Sequence, residues 1–186
     1  MFEISLKNQF PYMIGVIINS VKQKTLSYSK LKKSFEKYSC MCCNIEAESI
    51  VYSWFDQIDY AIKDLFKQID NELKGKKTDW RLVIDVLPSK FEGILRDMIS
   101  LKGGQTTKLK NGETTEMLLD DLLREPTFMK IFDIDDKNLF EYVFTSKGLN
   151  IRNNVAHGFY SPQHYDITKA MLVFICIMRL AKFQMS

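Results

Sequence analysis

Asp166-Ile-Thr-Lys-Ala-Met-Leu-Val-Phe-Ile-Cys-Ile-Met-Arg-Leu180 is the stretch that decides the fold class. Apolar residues surround the axis of any helix built here, including Ile167, Met171, Phe174 and Met178, so the helix belongs at the centre of a bundle. Asp166 is placed to cap it, and it should reach about Phe183. Its most apolar part, residues 170–180, lies between Lys169 and Lys182 and contains Arg179. It is too short and too charged to cross a bilayer, and no membrane partner is expected.

Outward from this helix the chain repeats one theme, apolar residues at three- and four-residue spacing. Residues 2–24 carry Phe10, Ile14, Ile17, Ile18 and Val21 in that period, with Pro11 expected near a break or in a first turn. A shorter helix is expected from Ser29, with Leu31, Phe35 and Tyr38 on one side. Residues 46–73 align Ile50, Trp54, Ile58, Ala61, Leu65 and Ile69 and predict one long amphipathic helix ending near Gly75. Ser89-Lys-Phe-Glu92 has capping-box spacing, and Pro88 before it predicts a helix boundary. The helix so begun runs to about Leu101, buries Phe91, Ile94, Leu95 and Met98, and stops at Gly103-Gly104. Around 103–114 a polar loop or small hairpin at Asn111-Gly112 is the single place where strand is expected. Residues 115–124 and 137–146 read as two short helices. The fold class is therefore all-α.

The 186 residues suffice for one core, so a single domain is expected over residues 1–186, with 1–40 as an N-terminal helical extension and 46–183 as the core bundle. Only 8 glycines and 4 prolines interrupt it, which means few, long elements. The net charge of +3 permits an RNA partner without arguing for one, because phosphate binding needs several lysines or arginines gathered on one face. Cys40, Cys42 and Cys43 are too close together for a disulfide framework, and Cys176 sits in the apolar run. No second ligand pair at zinc-like spacing accompanies them, so reduced, mostly buried thiols of a cytoplasmic protein are expected, with neither metal nor cofactor. The first residues lack the pattern of a secretory signal.

Ionisable and polar groups concentrate just before the apolar helix, in Gly148-Leu-Asn-Ile-Arg-Asn-Asn-Val-Ala-His-Gly158, which holds one of the 2 histidines of the chain. Asn150 can cap a two-turn helix starting at Ile151, and Gly158 stands where such a helix stops. Asn153 and His157 then share a face, while Arg152 points well away from His157. Two copies meeting across a dimer axis could bring the Arg152 of one chain to the His157 of the other. That pair suits RNA cleavage by the neighbouring 2′-hydroxyl, in which histidine accepts a proton near neutral pH and arginine holds a phosphate that gains charge. The bland alternative is a histidine satisfying carbonyls at a helix end and an ordinary cap or ion pair, and for Glu92 and Arg96 a helix-face ion pair.

The segment from Gly148 to Gly158 resembles the signature of the DUF 4209 family, which centres on Arg-Asn, three residues, then His-Gly. Leu87-Pro-Ser-Lys-Phe-Glu-Gly-Ile-Leu-Arg96 is similar to the helix in which that family places a glutamate and an arginine four apart. The helices holding Phe10-Pro11 and residues 26–38 resemble its upstream elements, so the resemblance covers most of the chain and is compatible with its being the C-terminal part of a longer protein. The Arg-x4-His spacing also resembles the motif of the HEPN superfamily.

That resemblance implies a HEPN-like helical bundle, a homodimer with a composite active site in the cleft between protomers, and metal-independent endoribonuclease activity in a toxin or anti-phage system. It implies RNA as substrate and a cognate inhibitor or sensor protein as partner. His157 would act as base or acid, Arg152 as phosphate clamp and Asn153 as the residue orienting them. Glu92, Arg96, Asn150, Asn154 and Tyr160 are the expected supporting or binding residues. Some toxin members carry a tyrosine two residues after the histidine. Phe159 stands there in this chain, followed by Tyr160, so regulation through that tyrosine does not carry over. The alternative is a non-catalytic HEPN-like dimerisation module binding RNA, a nucleotide or a partner protein, and a third possibility is a purely structural helical domain.

Overall fold

A computed structural model describes residues 2–47 and 50–184. Helices dominate it: α1 (Phe2–Lys22), α2 (Tyr28–Tyr38), α3 (Trp54–Leu73), α4 (Arg81–Leu101), α5 (Leu119–Leu122), α6 (Phe128–Ile131), α7 (Ile134–Phe144), α8 (Ile151–Ala156) and α9 (Ile167–Leu180). Two antiparallel hairpins interrupt them, β1 (Ile45–Ala47) with β2 (Ile50–Tyr52) and β3 (Thr107–Lys110) with β4 (Glu113–Glu116). Among the described residues no helix is long and apolar enough to cross a membrane.

The centre is formed by α3, α4 and α9, with α4 packed on both of the others. As its composition requires, α9 is buried almost all round, from Ala170 through Ile177. Its start is fixed by Asp166, whose side chain accepts the Lys169 amide at 2.9 Å. Phe91 of α4 lies 4.8 Å from Phe140 and 4.3 Å from Phe144, ring centre to ring centre, which joins α7 to the centre. α1 lies on α3 and α9, and α2 lies on α3. Phe10, Val21, Leu31 and Phe35 therefore belong to the same apolar cluster as the central helices.

Several local expectations are corrected. Residues 46–73 do not form one helix: the chain pairs β1 with β2 first, and α3 begins at Trp54. The reason lies in Ser53, whose hydroxyl accepts the Asp56 amide at 3.2 Å while the Asp56 carboxylate accepts the Ser53 amide at 2.8 Å. This capping box fixes a start that the apolar period alone does not reveal. Upstream of it, Ile50-Val-Tyr52 is β-branched and aromatic, as strands prefer. Hairpin β1–β2 is thus strand where none was expected, while β3–β4 turns at Asn111-Gly112 as its sequence requires.

Pro88 is no boundary either, because α4 starts at Arg81 and carries Pro88 inside it, buried. Burial of Val83, Ile84 and Leu87 ahead of Pro88 offsets the missing hydrogen bond. Pro11 likewise lies inside α1. The expected helix at 115–124 shrinks to α5 because β4 occupies residues 113–116, and α6 forms within the expected connection. Tyr38, expected on the buried side of α2, is exposed at its last position.

Candidate functional site

α8 is only six residues long, and its neighbours hold it in place. Ile151 is fully buried, and the helix packs on α4 and α7. The turn before it is tight: the Leu149 amide donates to the Tyr142 carbonyl at 2.7 Å, and the Asn150 amide to that of Thr145 at 3.1 Å. A Cβ on Gly148 would come within 2.1 Å of the Tyr142 carbonyl oxygen, so only glycine fits there. At the other end Gly158, at φ +68°, turns the chain out of the helix.

Asn150 precedes α8 but does not cap it through its side chain. It adopts the left-handed conformation, φ 52° and ψ 33°, which asparagine tolerates, and its Oδ1 instead accepts a hydrogen bond from Asn153 Nδ2 at 2.9 Å. Asn154 Nδ2 donates to the Leu149 carbonyl at 3.3 Å and ties the helix back to the turn.

The electrostatic centre is Glu92, only 5% exposed in the middle of α4. It does not return to Ser89 as the capping-box spacing suggests, because residue 89 is already inside the helix. Its Oε2 accepts Arg152 Nε at 2.6 Å, and its Oε1 accepts Arg96 Nη2 at 3.1 Å. One buried carboxylate thus serves two guanidiniums, each about a quarter exposed, which compensates its desolvation.

Arg96 also donates through Nη2 to the Met117 carbonyl at 2.8 Å. Its Nε lies 2.9 Å from Glu116 Oε2, an ion contact without hydrogen-bond alignment. Arg152 Nη1 donates to Asn153 Oδ1 at 3.2 Å, so a continuous polar chain runs Arg96, Glu92, Arg152, Asn153, Asn150.

His157 is exposed and lies outside that chain, at the C-terminal end of α8. Among the described residues its side chain makes no hydrogen bond or ion pair. Its imidazole lies over the Phe159 ring at 5.5 Å between centroids, inclined 27°. Within a helix, five residues separate side chains by about 140°, which explains why Arg152 turns inward while His157 faces solvent.

Tyr160, half-buried, packs on His164 at 5.4 Å and meets Tyr165 edge-on at 5.6 Å. Its buried hydroxyl has no hydrogen-bond partner among the described residues. Burial raises its pKa; Asn154 and Lys169 act in the opposite direction, the former amide lying near the hydroxyl without hydrogen-bond alignment.

The structure therefore gathers Glu92, Arg96, Arg152, Asn153 and Asn150 and leaves His157 and Tyr160 outside the group. Sequence reasoning missed Glu116, the Met117 carbonyl and the Phe159 ring. Nothing in the spacing of Glu116 marks it, whereas Phe159 is legible as the first aromatic after the helix-ending glycine. Among the described residues no group of three or more histidine, cysteine, aspartate or glutamate side chains could hold a metal ion. No family model, no curated protein and no solved structure matches this chain.

Proposed function

We propose that this protein is a metal-independent endoribonuclease of the HEPN type, active as a homodimer with a composite site, and working as a toxin or anti-phage effector. The observation that carries this function is the buried Glu92 carboxylate holding the Arg152 guanidinium at 2.6 Å beside Asn153. Glu92 and Asn153 engage two of the five N–H donors of that guanidinium, and the others remain for phosphate oxygens. His157 is exposed at the end of the same short helix.

In the proposed reaction His157 takes the proton of a ribose 2′-hydroxyl, whose oxygen attacks the adjacent phosphorus. The bond to the 5′-oxygen breaks, that oxygen takes a proton from water, and His157 releases the proton it accepted to solvent. Arg152 of the partner protomer neutralises the charge gained by the phosphoryl oxygens. Products are a 2′,3′-cyclic phosphate and a 5′-hydroxyl.

The test is incubation of the wild-type, Arg152→Ala and His157→Ala proteins with total RNA in EDTA, followed by end-group analysis. Cleavage by wild type alone with cyclic-phosphate ends is the expected result. Ends bearing a 5′-phosphate, or loss of cleavage in EDTA, would refute the mechanism.

One observation favours a non-catalytic binding module instead: among the described residues no hydrogen bond from a neighbouring side chain orients the His157 imidazole, as a catalytic base usually requires. That alternative expects RNA binding that survives His157→Ala, with no cleavage by wild type at any pH from mildly acid to mildly alkaline.

A further inference from the structure

The modest net charge of the chain conceals an uneven distribution. Residues 22–38 contain six lysines (22, 24, 30, 32, 33 and 37) and one acid, Glu36, a net charge of +5 against +3 for the whole chain. The remainder is therefore net −2, and the positive character of the molecule belongs to one corner, the end of α1 and the whole of α2.

The fold sorts these lysines by face. Leu31 and Phe35 are the buried residues of α2, with Phe35 edge-on to Phe55 of α3. Lys32, beside them, is used internally: its ammonium is 3.8 Å from Asp59 and lies over the Phe55 ring. Lys30, Lys33 and Lys37 recur at three and four residues on the opposite face, and all are exposed. Lys30 Nζ donates to the Lys24 carbonyl at 2.6 Å, which brings residue 24 against the same face; Lys24 is exposed, as is Lys22 two residues earlier at the end of α1.

Four acids lie nearby: Asp59 is taken by Tyr28 and Lys32, Asp56 by the Ser53 amide, Asp70 beside Lys24 lies 3.9 Å from Lys74, and exposed Glu36 stands between the Lys32 side and the outer face. Tyr38, 74% exposed at the end of α2 with the Lys37 ammonium 4.9 Å from its ring centre, adds a flat apolar surface to the basic strip. Lysines spread over about 10 Å of helix, next to an exposed aromatic ring, match a single-stranded nucleic-acid backbone with one base stacked at its end.

We propose that α2 and the end of α1 form a docking surface for single-stranded RNA, separate from the α8 site, in which Lys22, Lys24, Lys30, Lys33 and Lys37 contact phosphates and Tyr38 stacks on a base. The choice of RNA among polyanions rests on the function proposed above for α8; the surface itself rests on the charge and its placement.

The test is fluorescence anisotropy of a labelled oligouridine with full-length wild type and a Lys30→Gln/Lys33→Gln/Lys37→Gln variant, across potassium chloride concentrations. Removing one lysine that neutralises a phosphate lowers the slope of log affinity against log salt by about 0.7. The triple variant is expected to lower that slope by about 2 and to bind at least about tenfold more weakly at low salt. A Lys22→Gln/Lys24→Gln variant should lower the slope by about 1.4, and circular dichroism checks that each variant is folded.

An unchanged slope in both variants, or no binding of oligouridine by wild type at low salt, overturns the proposal. So does binding of wild type to phosphatidylserine vesicles in place of RNA. His157→Ala separates the two sites: loss of cleavage with the slope intact supports both, whereas a slope that falls in the lysine variants of a protein that cleaves nothing supports the docking surface and rejects the ribonuclease.

Discussion

Glu92→Gln tests the site most directly, because it keeps the shape of the side chain and removes only its charge. In the wild type the buried carboxylate accepts two charge-assisted hydrogen bonds, at 2.6 Å from Arg152 and 3.1 Å from Arg96. Each such bond contributes about 1.5–3 kcal/mol, and a buried charge pair broken on one side costs about 3–5 kcal/mol. Both guanidiniums are about a quarter exposed, so solvent recovers part of that loss. The expected net destabilisation is about 2–4 kcal/mol. For a chain of this length that lowers the melting temperature by roughly 5–15 °C.

Urea unfolding followed by circular dichroism and by the fluorescence of Trp54 and Trp80, both buried, measures the change directly. Glu92→Gln combined with Arg152→Gln should cost less than the two single changes added together, since the second removes a charge that the first has stranded. A destabilisation below about 1 kcal/mol, or strict additivity in the double variant, would show that Glu92 does not hold Arg152. If the ribonuclease function is correct, RNA cleavage by the folded fraction of Glu92→Gln should fall as well, because the phosphate clamp is then free to turn away.

Gly148→Ala should destabilise the protein by more than about 2 kcal/mol in the same urea assay, because the new methyl group meets the Tyr142 carbonyl oxygen at 2.1 Å and overpacked sites of this kind cost about 1–3 kcal/mol or more. A loss under about 0.5 kcal/mol would mean that the turn yields. Ser53→Ala should cost about 1 kcal/mol. The Ser53 hydroxyl and amide hold Asp56 below the ordinary carboxylate range, a contribution present above the unfolded pKa and lost as pH falls through the folded value, so the loss should fade in acid. Equal losses at neutral and strongly acid pH would contradict that assignment. Tyr28 and Tyr165 have pKa values raised to about 12, by burial first and then by Asp59 and Asp85 respectively. Their contribution to stability is complete below the ordinary value of 10.0 and is lost as pH rises through about 12, so an ultraviolet titration of Tyr165→Phe should lack part of the late-ionising signal.

Continuous apolar periodicity was the most legible part of the sequence. Residues 167–180 could only be a central helix, and Trp54, Ile58, Ala61, Leu65 and Ile69 share the buried side of α3 as their spacing requires. The departures all involve local signals that packing overrides or refines. Pro88 stands inside a helix because a lost hydrogen bond is a small penalty beside the apolar surface buried around it, and Pro11 also lies inside one. The start of α3 was written in Ser53 and Asp56, a capping box on either side of two tempting apolar residues.

At the candidate site, the helical spacing of Glu92 and Arg96 was visible and their hydrogen bond is present. The reach of Glu92 to Arg152, 60 residues along the chain, is a product of tertiary packing and leaves no trace in spacing. The left-handed turn made by Asn150 was likewise hidden, because the same residue type serves a side-chain cap and a left-handed turn.

The brevity of α8 bears on what could be transplanted. A helix of six residues has too few internal hydrogen bonds to persist in water, so a peptide of residues 148–158 would carry the letters of the motif without its shape. Its geometry is borrowed: from Ile151 sunk in the core, from the Tyr142 carbonyl pressed against Gly148, and from a carboxylate on another helix. Grafting the segment onto a foreign scaffold would therefore require grafting Glu92 with it, and the smallest portable unit is a helix pair rather than a string of residues.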